Sequence, residues 1–147
     1  MALFDKLFAS KPDTTVARAI LIPSIGVMAS DGRMDERELI QLNNVISFSP
    51  IFSPLDGKTL TGLCSDILTS FKNRGARAVY AEAKAVLSPA LRETAMCFAL
   101  RIASADGRLD ESERESLSYL AAEFEISMET FEAMATVLGI MQRPASA

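Results

Sequence analysis

The sequence contains no histidine and no tryptophan, and its two cysteines, Cys64 and Cys97, form no CxxC pair. Without histidine the chain lacks the commonest acid and base at neutral pH, the commonest metal ligand and every triad built on imidazole. We therefore expect a protein that is not an enzyme. Both cysteines stand in apolar stretches, which predicts buried, reduced thiols rather than a disulfide or a soft-metal site.

No apolar run is long enough to cross a membrane. The longest, AILIPSIGVMA at residues 19–29, is far shorter than a bilayer span and is interrupted by Pro23. The start, MALFDKLF, lacks the apolar core and the small-residue cleavage site of a secretory signal. We therefore expect a cytoplasmic protein without a transmembrane segment.

Positive charge is scarce, with 15 Lys and Arg against 19 Asp and Glu, and the formal net charge is −4. This balance argues against nucleic acid as the principal partner. Nine of the acidic residues lie between positions 106 and 132. Solvated helix faces explain this concentration, and a patch that docks another protein is the alternative.

Aromatic residues make up 7% of the chain although 49% of it is hydrophobic, with many Ala, Leu, Ile and Met residues. This composition, with no alternating apolar pattern, favours helices over strands. A chain of this length buries a core as one domain. The sequence predicts an all-α fold, a single compact domain over 1–147 with about seven helices, an N-terminal segment at 1–12 and a flexible tail at 142–147.

The N-terminal segment has apolar side chains on one side of a short helix, at Leu3, Phe4, Leu7 and Phe8. Docking onto the core of its own domain is the usual fate of such a segment. Contact with a membrane surface is the alternative, although the segment is short and not basic.

Apolar periodicity and breaker residues predict helices over about 14–29, 36–47, 58–73, 76–87, 89–105 and 111–124, and one more that begins after Ser127. The helices 14–29 and 89–105 are apolar on most sides, so both should be central. The sequence predicts these core residues: Leu39, Leu42, Val45, Met96, Phe98, Ala99 and Ile102. In the proline-containing loop 47–57, we expect Phe48, Ile51 and Phe52 to contact the core.

An acidic turn occurs twice. ASDGRMDERE, residues 29–38, is followed 75 positions later by SADGRLDESE, residues 104–113, and the cores DGRMDERE and DGRLDESE agree at six of eight positions. Each copy follows a predicted central helix and precedes an amphipathic one. The sequence therefore predicts a pseudo-repeat of helix, DGR turn and helix.

Helix capping explains much of this turn. Gly32 can end the preceding helix in a left-handed conformation, Asp35 can cap the next helix, and Glu38 then occupies its third position as in a capping box. The second copy repeats these roles at Gly107, Asp110 and Glu113. Capping leaves Asp31 and its counterpart Asp106 unexplained.

A calcium loop of the EF-hand type explains the same residues differently. Asp31, Asp35 and Glu38 match its fifth, ninth and twelfth positions. The second copy matches at Asp106, Asp110 and Glu113. Neither copy is complete, because the first and third ligand positions hold residues without carboxylates: Val27 and Ala29 in one, Ile102 and Ser104 in the other.

Two incomplete turns can complete one site if they come together. Calcium takes six to eight oxygen ligands, and clustered carboxylates repel one another unless a cation binds among them. The sequence thus predicts one divalent-cation site, with calcium favoured, whose candidate ligands are Asp31, Asp35, Glu38, Asp106, Asp110 and Glu113. Arg33 and Arg108 offer an alternative, since they can neutralise the carboxylates in a metal-free ion-pair network.

The two turns also carry a resemblance to a known family. VMASDGRMDERE and RIASADGRLDESERESL with the following AAEFEIS, together with the start MALFDKLF, resemble the tellurite-resistance TerB family and the wider TerB-like domains. The resemblance covers nearly the whole chain and is most specific in the two turns, whereas SFSPIFSP departs from the pattern.

The resemblance implies an all-helical domain whose acidic residues bind a divalent cation, and these stand at the matching motif positions: Asp31, Glu38, Asp106 and Glu113. It also implies association with other stress-response proteins at the inner face of the membrane. Two functions remain open at this point. The first is a cation-binding domain that acts through partners, and the second is a metal-free interaction module whose turns are helix caps.

Overall fold

Seven helices make up the part of the chain that the structure describes, which is residues 13–29, 36–104, 109 and 111–147 of a computed structural model, with the backbone alone for 36–38. They are α1 (Thr15–Ala29), α2 (Glu36–Ile46), α3 (Gly57–Arg74), α4 (Ala76–Val86), α5 (Pro89–Ala103), α6 (Glu111–Glu123) and α7 (Met128–Met141). No strand occurs among these residues. The predicted all-α class and single domain are confirmed, and the predicted helix bounds lie within two residues of those observed.

Local signals in the sequence set several of these bounds. The side chains of Asp56, Ser88 and Ser127 each accept a hydrogen bond from the backbone N–H three residues later, at 2.7, 3.3 and 3.1 Å. They satisfy donors that the first turn of a helix leaves unpaired. Pro89 stands at the first position of α5, where its missing N–H costs nothing. Gly75, with a φ of 82°, separates α3 from α4.

α1 forms the centre of the bundle. It packs most extensively against α5 and also against α3 and α4. Nine of its fifteen residues are buried, among them Pro23, which stands inside the helix. A helix that is apolar on most sides is stable only when neighbours surround it, and this is the position that α1 occupies. The two predicted central helices, α1 and α5, therefore do lie side by side.

A close approach fixes α1 against α3 and α4 at Gly26. A methyl group on Gly26 would lie 2.1 Å from the Tyr80 hydroxyl oxygen and 3.1 Å from Phe71 Cζ. The Tyr80 ring is itself held edge to face against Phe71 and Phe124, with ring centroids 5.4 and 6.4 Å apart. Burial raises the pKa of Tyr80 to about 12, and the charge of Glu123 adds to the effect.

Charged groups join the same three helices near the start of α1. The Arg18 guanidinium donates to the Asp66 carboxylate at 3.0 Å, to the Ser70 hydroxyl at 2.9 Å and to the Glu82 carboxylate. Arg74 pairs with the other oxygen of Glu82 at 2.6 Å. This network stabilises the orientation of α1 on α3 and α4. None of the described helices is long and apolar enough to cross a membrane.

Most of the predicted core is confirmed. Four of its members are buried, namely Leu42, Met96, Ala99 and Ile102. Val45 and Phe98 are partly buried and pack against the core. The prediction for Leu39 is wrong, because this side chain is 41% exposed. The helix α2 packs chiefly against α5, so it buries a narrow strip in its second and third turns, and Leu39 lies in the turn before that strip.

The loop after α2 contacts the core at one aromatic residue rather than two. Phe52 is 2% exposed and packs against Phe98 with ring centroids 6.1 Å apart, and Ile51 is partly buried. Phe48 is 92% exposed, so the prediction that it contacts the core is wrong. The chain turns at Ser49, whose backbone carbonyl accepts a hydrogen bond from the Phe52 N–H at 3.1 Å. After this turn the Phe52 ring packs against the core, whereas the Phe48 ring before it stays exposed.

Candidate functional site

The helices on either side of the two acidic turns have matching registers. α2 begins at Glu36 and α6 begins at Glu111, which are equivalent positions of the two copies. α1 ends at Ala29 and α5 ends at Ala103, one residue from equivalence. Each turn therefore connects a central helix to a second helix whose first residue follows an aspartate. The pseudo-repeat predicted from the sequence is therefore also present in the positions at which the helices before and after each turn end and begin.

Most of the predicted cation ligands lie outside the described residues. This holds for four aspartates, which are Asp31, Asp35, Asp106 and Asp110. Glu38 is the third residue of α2, where the structure gives the backbone alone. Glu113 is the third residue of α6, and its side chain is exposed. Within the described ranges, no three carboxylate or thiol side chains come together as a metal site would require.

Two described residues of the second acidic turn, Ser104 and Leu109, contact other parts of the fold. Leu109, its apolar residue, is partly buried and packs against the core. Ser104 is 2% exposed, its hydroxyl donates to the Arg101 carbonyl at 3.2 Å, and its own carbonyl accepts from the Gln142 side-chain amide. Ser104 is thus held by hydrogen bonds, and Leu109 by an apolar contact.

The EF-hand positions that lack carboxylates are occupied by packing residues. Ile102, at the first ligand position of the second copy, is 7% exposed and belongs to the core. Val27, its counterpart in the first copy, packs against the core as a partly buried residue. A calcium loop would direct oxygen ligands from these positions, whereas here they anchor the two central helices. Neither turn by itself therefore matches a complete calcium loop.

The first turn of α6 is strongly acidic, with Glu111 and Glu113 in it. Carboxylates at this position interact favourably with the positive end of the helix dipole. Asp110 and its counterpart Asp35 stand directly before the first residues of α6 and α2, the position of an N-cap. The places of these two aspartates in the sequence, directly before the two helices, therefore fit the capping interpretation, and that interpretation does not require Asp31 or Asp106.

A second feature, which the sequence did not reveal, is an apolar groove between α2, α5 and α7. We call it the α5–α7 groove, and its volume is about 980 Å³. Apolar side chains dominate its lining, among them Val45, Phe98, Met134 and Leu138. Phe48, which was predicted to contact the core, is among the residues that line the groove. One feature of the sequence could have indicated this groove. The last helix is apolar on nearly every side, whereas a helix that buries only one face needs apolar residues on that face alone.

Cys97 lies in the α5–α7 groove and is exposed, so the prediction that both cysteines are buried is wrong for this residue. Cys64 is buried, as predicted. Partial burial in the groove raises the pKa of the Cys97 thiol, and the nearby charge of Glu93 raises it further. Cys97 stands on the face of α5 opposite the buried Ala95 and Met96, and this face lines the groove with a mixture of apolar, polar and charged residues.

The sequence matches the family described as Tellurite resistance protein TerB over residues 17–136. This match spans α1 to most of α7 and includes both acidic turns. No curated protein and no solved structure matches the chain. Because the match extends over most of the 147 residues, the chain belongs to the TerB tellurite-resistance family.

Proposed function

We propose that this TerB-family chain is a cytoplasmic stress-response domain of the tellurite-resistance type that binds one divalent cation through its two acidic turns. It acts through other proteins, at the inner face of the membrane, and catalyses no reaction. The proposed ligands come from both turns, and they are Asp31, Asp35, Glu38, Asp106, Asp110 and Glu113.

The observation that supports the shared site is the packing of α1 against α5. Each acidic turn leaves the end of one of these two helices, and each leads into a helix that begins at the equivalent residue. Since Val27 and Ile102 pack against the core or within it, neither turn completes a calcium loop alone. Carboxylates contributed by both turns would supply the oxygen atoms that a single turn lacks.

The donor set determines the class of cation. Carboxylate and carbonyl oxygens suit hard cations, and calcium accepts six to eight of them with flexible geometry. Magnesium requires a stricter octahedron and retains water, so it is the weaker candidate. Zinc prefers sulfur and nitrogen ligands, and the turns contain neither Cys nor His.

Elemental analysis of the full chain, purified without a chelator, tests this proposal. We expect about one equivalent of calcium per chain for the wild type, since calcium takes six to eight ligands and the two turns together provide one such set. The variant Asp31→Asn with Asp106→Asn should lose the metal. A control that removes two charges elsewhere, Glu115→Gln with Glu123→Gln on the exposed side of α6, should retain it.

Two results would contradict the proposal. If the wild type contains no divalent metal after dialysis against calcium, the turns are helix caps and ion pairs, and the domain is a metal-free interaction module. If both double variants retain the same metal, a cation binds elsewhere in the chain.

A further inference from the structure

α7 is apolar on most sides but poorly covered. Its sequence, METFEAMATVLGIM, has only two charged residues, and Phe131 is the one residue of this helix that is buried. Val137, Ile140 and Met141 are 56%, 49% and 68% exposed. Helices with this composition are normally surrounded by other elements. The outer face of α7 therefore resembles an interface more than a solvated surface.

The α5–α7 groove has the dimensions of a short helix. Its lining on α5 extends from Ala90 to Arg101, and its lining on α7 extends from Thr130 to Met141. Each range spans twelve residues, and the eleven helical steps between its ends correspond to roughly 16 Å, about three turns. An apolar helix that contributes side chains at every third or fourth position is the usual occupant of such a groove. α7 itself, with 14 residues, is long enough to fill it.

α5 and α7 run in the same direction. The side-chain amide of Gln142, directly after α7, donates to the carbonyl of Ser104, directly after α5. The carboxyl ends of both helices therefore meet at one end of the groove, next to Arg101. The other end of the groove lies near Ala90 and Thr130, where both helices begin.

We propose that the α5–α7 groove binds α7 of a second copy of this chain, and that the two copies form a dimer with two-fold symmetry. In this arrangement α7 of the partner subunit lies between α2 and α7, antiparallel to α7, while α7 of the first subunit fills the partner's groove. The exposed residues Val137 and Met141 become buried in both subunits. This inference goes beyond the proposed cation binding and does not depend on it.

Charge complementarity selects the second copy and its direction. Glu93 lines the amino end of the groove and Arg101 its carboxyl end, and within the described part of the chain neither forms an ion pair. An antiparallel α7 places Glu129 of the partner subunit near Arg101, and Arg143 of the partner subunit near Glu93. The opposite direction would place Glu129 of the partner subunit near Glu93, where the two carboxylates repel. Antiparallel packing is also the arrangement that closes a two-fold dimer.

The first test is the mass of the full chain in solution, measured by light scattering after gel filtration. We expect the wild type at twice its chain mass of 15.9 kDa. Val137→Glu introduces two buried charges into the dimer, so it should weaken association by roughly a hundredfold or more and give monomers. Tyr119→Glu is the matched control, because Tyr119 is 66% exposed on α6 and does not line the groove. It should remain dimeric.

A charge exchange tests the antiparallel contact. Arg101→Glu and Glu129→Arg should each weaken the dimer, by roughly tenfold, because the symmetry removes two pairs at once. The double variant, with both changes, should restore association to near the wild-type level. Circular dichroism establishes that each variant keeps its helices. If the double variant is as weak as the single variants, the antiparallel arrangement is wrong.

Cys97 provides an independent reporter, because α7 of the partner subunit would cover it. The rate at which a thiol reagent modifies Cys97 should fall as the concentration of wild-type protein rises, and it should stay high in Val137→Glu at every concentration. A wild type that is monomeric at all concentrations overturns the proposal. So does a Cys97 that is protected equally at every dilution, since another part of the same chain would then cover the groove.

Discussion

Two glycine-to-alanine changes in helices should shift the stability of this protein in opposite directions. Gly26 in α1 and Gly62 in α3 are both helical, so an alanine at either position gains roughly 1 kcal/mol in helix propensity. They differ in their surroundings. A Cβ at Gly62 would have no atom within 4 Å, whereas a Cβ at Gly26 would lie 2.1 Å from the Tyr80 hydroxyl oxygen.

The cost at Gly26 follows from the rigidity of Tyr80. A flexible side chain would rotate away from the new methyl group, but this ring is held by Phe71 and Phe124 at centroid distances of 5.4 and 6.4 Å. Overpacking of this kind costs about 1–3 kcal/mol, and the close backbone approach puts Gly26→Ala at the upper end of that range or beyond. After the gain in helix propensity, a net loss of roughly 2 kcal/mol remains.

Thermal denaturation monitored by circular dichroism measures both changes. Gly26→Ala should lower the Tm by roughly 4–8 °C, and Gly62→Ala should raise it by about 2–4 °C. Tyr80→Phe removes the hydroxyl oxygen nearest to the new methyl group, so Gly26→Ala should cost less in that background. A Gly26→Ala protein that is as stable as the wild type would refute the packing of α1 against α3 and α4.

Two further predictions concern the core. Ile102→Ala should destabilise the protein by roughly 2–5 kcal/mol in urea denaturation, because it leaves a cavity beside the second turn, and a neutral effect would contradict the central position of α5. The second prediction concerns pH. Tyr80 has a pKa of about 12 in the folded protein and a lower pKa, near the ordinary tyrosine value of 10.0, in the unfolded chain. The free energy of unfolding of the wild type should therefore fall progressively between pH 10 and pH 12. The folded state binds this proton more tightly, so the stabilisation is complete below pH 10 and is lost as the pH rises. Tyr80→Phe should show a smaller decline between pH 10 and 12, and an equal decline in both proteins would contradict the burial of this hydroxyl.

The sequence predicted the helices well because their bounds depend on neighbouring residues. Ser88 with Pro89, Ser127 and the breaker-rich loop before Asp56 each act within one turn of the chain, and the structure uses all of them. The pairing of α1 with α5 was also predictable, since two helices that are apolar on most sides must cover each other.

The errors concern residues whose exposure depends on distant parts of the chain. Leu39 has the spacing of a core residue, but its side chain is 41% exposed, because the buried residues of α2 that the structure describes lie in its later turns, at Leu42 and Ile46. Phe48 and Cys97 are apolar or weakly polar, and both lie at a groove that appears only when α2, α5 and α7 are assembled. Periodicity identifies an apolar face, but it does not tell whether the core, a groove or another molecule covers it.

The candidate cation site was predictable only as a pattern. The repeat of the DGR turn and its match to half of a calcium loop follow from the sequence alone. Whether Asp31 and Asp106 face one another depends on the ends of α1 and α5, which are set by long-range packing. The six candidate ligands therefore stay a prediction, and a direct measurement of cation binding decides it.

The most direct test of the shared site is the Tm of the chelator-treated full chain with and without calcium. Binding to the folded state alone at about a hundred times the Kd adds about 2.7 kcal/mol, which corresponds to a rise of roughly 5–11 °C. We predict this rise for the wild type and for Glu115→Gln with Glu123→Gln, but not for Asp31→Asn with Asp106→Asn. Equal responses of the wild type and the Asp31 and Asp106 variant would contradict the account, as would the absence of any response to calcium in the wild type.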